Sequence, residues 1–348
     1  MLTVSFSSVR DWKSCRNLWY YRRVMNLTRR RKPLPLQRGS IIHDMLEAYL
    51  KTGKVKAIKK VYAVVKEEFD LLMDEEKEYY GDLPNECYQV IMRYIRHYEE
   101  LDENLNTLGV ELAFGDKEIP PVEIAPGLAV RGRIDWAFEA KDGPYPGIWI
   151  SDHKTAKSMI PPEKSRLFDA QTVLYYRVAP LLGLPEPTGV MFNYIPMKPP
   201  TMPKLNKDGS VSKKKINTDL ETLMQFFEDN NIDPDDYPDH VERASKTQFF
   251  ERRYMAKPDA ICDNIITELK IIAMEMEKLK NFPYRTNPNG LACKSCEFDQ
   301  LCMAELMGLD TSFILKSEYK VKEVKTDDGE EDGEENLSEE ESNTGDSE

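Results

Sequence analysis

Two neighbouring strand patterns constrain the fold of this chain more than any other feature. Residues 128–140 read LAVRGRIDWAFEA and alternate strictly, with Val130, Ile134, Trp136 and Phe138 on one face and Asp135 on the other. Residues 147–156 read GIWISDHKTA, and the same alternation puts Asp152 and Lys154 on one face with two isoleucines. The sequence KDGPYPG between them is typical of a turn and predicts an antiparallel hairpin.

The charged residues at the end of an apolar strand require an explanation. Burying either charge of the Asp152–Lys154 pair alone is costly, so the pair either lies in water at the sheet edge or holds a charged ligand. Asp135 supplies the second carboxylate that a shared cation needs. Carboxylate oxygens suit Mg2+ or Mn2+, and such a metal suits cleavage of a phosphodiester bond. In that chemistry Lys154 orients the attacking water or stabilises the transition state.

The rest of the chain predicts mainly helices around this hairpin. A helix is expected from Ser7 to about Val24, with Ser7 or Ser8 as its N-cap, and another is expected to begin at Gly39. Further predicted elements are helices at 55–80 and 85–105, a helix from Glu163 to about Leu182, a strand at 189–196, a loop at 197–217 and a helix at 258–280.

The net charge of −13 is concentrated at one end of the chain. Residues 327–348 hold twelve Asp and Glu and no Lys or Arg, so residues 1–326 carry a net charge of only −1. We expect a folded domain over 1–326 and a disordered acidic tail over 327–348, which either solubilises the protein or mimics DNA. Positive charge is concentrated at 22–32 and 204–215, which indicates either solvated surface or phosphate binding.

Nothing in the sequence predicts a membrane protein. No apolar run approaches the ~20 residues that cross a bilayer, and the sequence MLTVSFSSVRDWKSC lacks the apolar segment of a secretory signal. The 348 residues are enough to bury a large core. We therefore expect a folded cytoplasmic protein.

The six cysteines separate into those with neighbours and those without. Cys293, Cys296 and Cys302 are clustered, and Cys15 lies far away in the first predicted helix. One distant cysteine plus three clustered ones differs from the two cysteine pairs of a common zinc site. Bound iron–sulfur, bound zinc and reduced thiols all stay open on this spacing. Two isolated cysteines lie on predicted helices and are expected to be buried apolar side chains: Cys87 and Cys262.

Four short motifs follow one another in the order of a known nuclease family. They are Gly39–Ser40–Ile41–Ile42–His43, Gly132–Arg133–Ile134–Asp135, Asp152–His153–Lys154 and Gln171–Thr172–Val173–Leu174–Tyr175. With these motifs the chain resembles the PD-(D/E)XK nucleases of RecB type. The resemblance extends over about residues 5–320. It implies an α/β fold with a restriction-endonuclease-like core, in which a mixed central sheet is flanked by helices and carries added helical segments.

The resemblance also implies a role for each motif residue. His43, Asp135 and Asp152 correspond to ligands of Mg2+ or Mn2+, together with the backbone carbonyl of His153. Glu111 matches an acidic residue that often precedes the core strands of the family.

The remaining motif residues correspond to catalytic and supporting groups. Lys154 corresponds to the catalytic lysine of the family. Gln171 and Tyr175 correspond to residues that brace the site and contact the nucleic-acid backbone.

The cysteine pattern strengthens the resemblance to particular members of the family. Cys15 together with Cys293, Cys296 and Cys302 resembles the iron–sulfur clasp of AddB and of the CRISPR-associated RecB-like exonucleases. That resemblance implies a 4Fe-4S cluster that ties together distant parts of one fold. The residues LCMAELMGLDTSF, which include the last cysteine, resemble bacteriophage members of the group.

These features together predict a divalent-metal-dependent DNA exonuclease. It would hydrolyse phosphodiester bonds in single-stranded DNA or at duplex ends, in phage replication, recombination or repair, with a partner protein of such a complex and in the host cytoplasm if phage-encoded. The alternatives are a structure-specific endonuclease and a non-catalytic DNA-binding or scaffold subunit of the same fold. Aromatic residues beside the first basic run either stack on unpaired bases or belong to the core: Trp12, Trp19, Tyr20 and Tyr21.

Overall fold

The strands of this protein form one large sheet and one small one. The structure is a computed structural model, and it describes residues 1–156, 166–286 and 293–322. The strands are β1 (Leu2–Ser5), β2 (Leu27–Arg29), β3 (Leu105–Phe114), β4 (Val122–Ala125), β5 (Leu128–Ala140), β6 (Gly147–Ala156), β7 (Gly189–Pro196), β8 (Glu251–Met255) and β9 (Tyr319–Val321).

The large sheet is mixed in direction. Its strand order is β1-β5-β6-β7-β8, and both β3 and β4 pair with the long strand β5. The β1–β5 and β6–β7 pairs are parallel, whereas β5–β6 and β7–β8 are antiparallel. The small sheet is the antiparallel pair of β2 and β9. The predicted class, an α/β fold built on a mixed central sheet, is confirmed.

The predicted hairpin is present, but the predicted strict alternation along its first strand is wrong. Strands β5 and β6 pair from Trp136 opposite Ser151 to Ala140 opposite Gly147. Val130 and Ile134 pack in one core cluster, whereas Trp136 and Phe138 pack in another. The apolar side chains therefore lie on one side of β5 before Asp135 and on the opposite side after it.

The helices lie on both sides of the large sheet. They are α1 (Phe6–Ser14), α2 (Arg16–Trp19), α3 (Leu34–Thr52), α4 (Val55–Asp70), α5 (Asp74–Tyr80), α6 (Leu83–Asp102), α7 (Ala170–Val178), α8 (Leu220–Asp229), α9 (Pro238–Ser245), α10 (Asp259–Leu279), α11 (Asp299–Leu306) and α12 (Ser312–Glu318), with a π-helical turn at Tyr20–Val24. Helices α1, α7 and α10 share one core with the sheet, and α3, α4 and α6 form a second core.

Two predicted helix starts are wrong. The first helix is capped by Ser5, whose Oγ accepts a hydrogen bond from the backbone N–H of Ser8, and not by Ser7 or Ser8. It also breaks at Cys15, which is extended with φ −165°. Helix α3 begins at Leu34 and not at Gly39, because Pro35 falls in the first helical turn, where proline is favoured.

The packing settles two expectations about single side chains. Trp12, Trp19 and Tyr21 are buried in the core, so they do not form a surface on which bases stack. Cys87 and Cys262 are fully buried among apolar side chains, as predicted.

Part of the prediction falls outside the described residues. The expected start of a helix at Glu163 lies there, although α7 lies within the predicted span. The expected acidic tail at 327–348 also lies there. None of the helices that the structure describes combines the length and the apolar character needed to cross a bilayer.

Candidate active site

Helix α3 packs the Gly39–His43 motif against β6, the strand that carries the Asp152–His153–Lys154 motif. A Cβ atom on Gly39 would lie 3.4 Å from Thr155 Oγ1, so the helix approaches β6 closely at this glycine. About one turn further along, the His43 side chain lies beside His153, whose backbone favours the protonated imidazole, although burial lowers the pKa of His43 overall. The two imidazole rings have centroids 5.8 Å apart. His43 therefore lies next to His153, the residue whose backbone carbonyl the resemblance assigns as a metal ligand.

Three ligand groups converge beside this contact. One ligand atom from each of His43, Glu111 and Asp135 lies within 4.8 Å of the others, and no other group of this kind occurs in the part of the chain that the structure describes. Glu111 has φ +53°, a conformation that is uncommon for a residue other than glycine. Its side chain is only 6% exposed and forms an ion pair with Arg133. Such local strain at a buried carboxylate is characteristic of functional sites.

The two predicted carboxylates have different partners. Asp135 Oδ2 accepts a hydrogen bond of 2.7 Å from the backbone N–H of His153. Asp152 is 1% exposed and lies 2.7 Å from the Lys154 ammonium through Oδ2. Asp152 is not in the group of ligand atoms within 4.8 Å of one another, whereas Glu111 is. The structure thus brings Asp135 to His43 and Glu111, and pairs Asp152 with the lysine.

The fourth motif holds the lysine from the other side. Lys154 Nζ donates hydrogen bonds of 2.9 Å to both Asp152 Oδ1 and Gln171 Oε1. Gln171 Nε2 in turn donates to the Tyr175 hydroxyl at 3.1 Å. A Cβ atom on Gly132 would lie 3.2 Å from a carbon of the Tyr175 ring, so glycine leaves room for that ring. All four motifs therefore meet in one site.

Burial controls the protonation of the site. It raises the pKa of Asp152 to about 6, against the lowering effect of Lys154, and raises the pKa of Glu111 to about 7. Burial also raises the pKa of Asp135. For Lys154 burial alone would lower the pKa, but the Asp152 carboxylate reverses this and the net pKa is raised. The lysine is therefore protonated at neutral pH. The carboxylates lie close together, and the positive charges around them do not offset the rise in their pKa values.

This crowding predicts a pH-dependent response to metal ions. The unfolded carboxyls titrate near pH ~4, so between that pH and about 6 to 7 the folded state binds more protons and its free energy of unfolding falls as pH rises. A bound cation competes with those protons. Mn2+ should therefore raise the unfolding midpoint far more at about pH 8 than at about pH 5. Thermal unfolding at both pH values measures this.

The matched control for this prediction replaces the titrating groups. Glu111→Gln combined with Asp135→Asn removes two of the three converging ligands without changing size, and it should abolish the response to Mn2+ at both pH values. An equal shift in midpoint at both pH values in the intact protein would contradict the prediction.

A buried polar network supports the site from the second core. His153 Nδ1 lies 2.9 Å from Asn193 Nδ2, which also donates to the Tyr94 hydroxyl at 2.8 Å. Tyr94 accepts a bond of 2.6 Å from Arg252, which forms a buried ion pair with Asp102. Asn193 interrupts an otherwise apolar strand, GVMFNYIP, and that interruption was the available sequence signal for a supporting residue. The network fixes the ring of His153 next to His43.

The four clasp cysteines line a separate cavity. A cavity of about 530 Å3 is bounded by Cys15, Cys293, Cys296 and Cys302. The extended residue at the break between α1 and α2 is Cys15, so the break turns this side chain out of the helical run. Cys302 Sγ accepts hydrogen bonds from Arg285 Nε at 3.1 Å and from Asn17 Nδ2 at 3.3 Å. Both donors therefore contact a sulfur atom that the resemblance assigns as a cluster ligand.

The first basic run is used within the protein, next to this cavity. Arg22 and Arg23 both form ion pairs with Asp11, which is 2% exposed, and Arg22 also pairs with Glu297. Arg29 donates to the backbone carbonyl of Glu297. These arginines therefore join the first helices to the segment around Glu297, and their charges are engaged within the protein.

Comparison with known proteins agrees with the assembled site. The profile of the PD-(D/E)XK nuclease superfamily matches residues 3–303, a span that includes the four motifs and the four clasp cysteines. No curated protein matches the chain. Because the match covers most of the chain, the chain belongs to the PD-(D/E)XK nuclease superfamily.

Proposed function

We propose that the protein is a divalent-metal-dependent exonuclease that hydrolyses phosphodiester bonds at DNA ends. The observation that carries the proposal is the convergence of His43, Glu111 and Asp135 next to the Asp152–Lys154 pair. The superfamily supplies the class of reaction. The preference for ends rests on the resemblance of the ordered motifs and cysteines to RecB-type exonucleases.

The donor set fits a divalent cation. The ligand atoms of Glu111 and Asp135 are oxygens, which Mg2+ and Mn2+ prefer, and the Asp152 carboxylate is close enough for the Asp135 charge to raise its pKa. The family resemblance adds the backbone carbonyl of His153 as a further oxygen ligand. Glu111 Oε2 and Asp152 Oδ2 are buried, and each is already drawn to a cationic side chain, Arg133 and Lys154 respectively, so the site concentrates negative charge that a bound cation would also offset. A cation bound here supplies a more acidic water and neutralises charge on the phosphate.

The protein groups around the cation perform the rest of the chemistry. The backbone N–H of His153 fixes Asp135, and the strained backbone of Glu111 directs its carboxylate into the same space. Lys154 is held between Asp152 and Gln171 with a permanent positive charge, so it can orient the attacking water and stabilise negative charge on the phosphate oxygens. Tyr175 keeps Gln171 in place.

We propose that the cysteine cavity holds a 4Fe-4S cluster. Tetrahedral zinc with Zn–S bonds of about 2.3 Å needs sulfur atoms only about 3.8 Å apart. In the described residues no three cysteine sulfurs form a group within 4.8 Å, although four cysteines line one cavity. A larger cofactor such as a four-iron cluster fits this wider arrangement better.

The experiment that tests the proposed function compares DNA topologies. End-labelled linear single-stranded DNA, linear duplex and closed circular DNA are incubated with Mg2+ or Mn2+, with chelator as the control. Degradation of the linear substrates alone is expected, and the label gives the polarity. Nicking of the circle would indicate an endonuclease. DNA binding without cleavage, by protein that retains its cofactor, would indicate a non-catalytic subunit.

The proposal extends to a biological setting. The resemblance of the LCMAELMGLDTSF segment to phage proteins supports a role in phage DNA replication, recombination or repair, in the host cytoplasm and with a protein partner of that complex. Co-purification from infected cells tests the partner.

A further inference from the structure

A groove next to α9 carries an excess of positive charge. Two cavities of about 500 Å3 and 240 Å3 adjoin there, because Lys246 and Thr247 line both of them. We call the two cavities together the basic groove. The smaller cavity is lined by five basic side chains and by no Asp or Glu: Lys214, Lys215, His240, Arg243 and Lys246.

Lys246 of the smaller cavity pairs with Glu242, but three other cations there are available for a ligand. Lys214, Lys215 and Arg243 are exposed, and no carboxylate of the described residues pairs with them. In the larger cavity Arg93 forms ion pairs with Asp219 and Glu221, so its charge is already balanced. The positive potential is therefore concentrated at the 204–215 run, in contrast to the arginines of the first basic run.

The sheet register places the groove at the active-site edge. Strand β7 pairs in parallel with β6, so that Tyr194 lies opposite Lys154. Strand β8 pairs with β7 in the antiparallel sense, so that Glu251 also lies opposite Tyr194. Residues 245–250 directly precede Glu251, so they lie beyond the end of the strands at which Lys154 is located. The loop with the lysines follows β7 beyond that edge as well.

We propose that the basic groove binds the phosphate backbone of the DNA strand beyond the nucleotides at the active site. The inference rests on the proposed nuclease function. Unpaired cations at the exit of an active site attract a polyanion and release its counterions, without reading the bases. The groove therefore contributes affinity that grows with strand length, and it leaves the cleavage step itself unchanged.

The test replaces three unpaired cations together. Lys214→Ala, Lys215→Ala and Arg243→Ala in one protein should lower affinity for a long single-stranded oligonucleotide by roughly tenfold or more at low salt. The slope of log affinity against log salt should become shallower by about 2, since each lost phosphate contact removes about 0.7. Fluorescence anisotropy with Ca2+ in place of Mg2+ measures both without requiring cleavage.

Two control variants test whether a loss of affinity comes from the groove itself, and not from the lower net charge or from misfolding. Lys141→Ala, Lys278→Ala and Lys280→Ala change the net charge equally at exposed positions outside the groove and should leave affinity and slope nearly unchanged. Lys214→Arg, Lys215→Arg and Arg243→Lys keep the charge and should restore binding. A triple alanine variant that is folded, with affinity and slope unchanged, overturns the proposal.

The binding assay also distinguishes this proposal from the nuclease proposal. In one outcome the intact protein cleaves no DNA while the triple alanine variant has lost affinity for it. That result would support the groove proposal and contradict the nuclease proposal. If the protein is a nuclease, the variant should raise KM for long strands while leaving kcat, and the cleavage of a tetranucleotide, unchanged. A fall in kcat on both substrates would overturn the groove as a binding surface outside the site.

Discussion

Replacing Asp152 by alanine is expected to abolish measurable cleavage, with a loss on the order of 10³-fold or more, because a buried carboxylate next to the metal group and the lysine is removed. Lys154→Met should cause a loss on the order of 10²- to 10³-fold, as for other groups that stabilise transition-state charge. Initial rates on end-labelled linear DNA measure both. Glu68→Ala, an exposed carboxylate on α4, is the matched control and should cleave like the intact protein.

The response to Mn2+ distinguishes the proposed role of Asp152 as a metal ligand from the proposed role of Lys154 as a catalytic cation. If Asp152 is a metal ligand, its alanine variant should lose much of the increase in unfolding midpoint that Mn2+ gives. Lys154→Met releases Asp152 from its ion pair, so this variant should keep that increase or enlarge it. Loss of the Mn2+ effect only with Lys154→Met would contradict the assignment. Full activity in Asp152→Ala would remove the proposed site altogether.

Replacing Cys302 by serine is expected to remove the cofactor and to destabilise the protein severely. The proposed cluster would join Cys15 to the cysteines at 293–302, and a cross-link across so long a segment is worth on the order of 5 kcal/mol through the unfolded state. The variant also leaves Arg285 and Asn17 without the sulfur that accepts their hydrogen bonds. Iron and sulfide content, visible absorbance and the unfolding midpoint measure these losses.

The isolated cysteines provide the control for the clasp. Cys87→Ala and Cys262→Ala alter fully buried thiols that do not line the cavity, so they should keep the iron content and cost roughly 1–2 kcal/mol at most. Stoichiometric zinc without iron, in protein prepared anaerobically, would contradict the cluster proposal and indicate a zinc site. An unchanged midpoint in Cys302→Ser would show that the clasp does not stabilise the fold.

The hairpin could be predicted because its signals are local, and the meeting of the four motifs could be predicted because their order resembles that of a known family. Alternating residues and a turn sequence specify β5 and β6. The helical spacing of Gln171 and Tyr175 puts both on one face, where they lie one above the other. The clustering of four distant cysteines followed only from the family resemblance.

Other features depend on contacts that a single sequence does not display. Strands β1, β4 and β8 were not predicted, since each is five residues or fewer and exists through pairing with a longer strand. The site position of Glu111 depends on a left-handed backbone conformation that its residue type does not favour. The side switch at Asp135 has the same origin, because it lies opposite this strained residue on β3.

The pairing of early and late residues has a consequence for biosynthesis. Strand β1 pairs with residues 128–131, β2 pairs with residues 319–321, and Cys15 faces a cavity completed by residues beyond 290. A ribosome releases the chain from its first residue onward. Strand β1 can pair once the first half of the chain is made, but β2 and Cys15 lack these partners until almost the whole domain has been synthesised. Folding is therefore completed late, and chaperones have a long interval in which to act on the nascent chain.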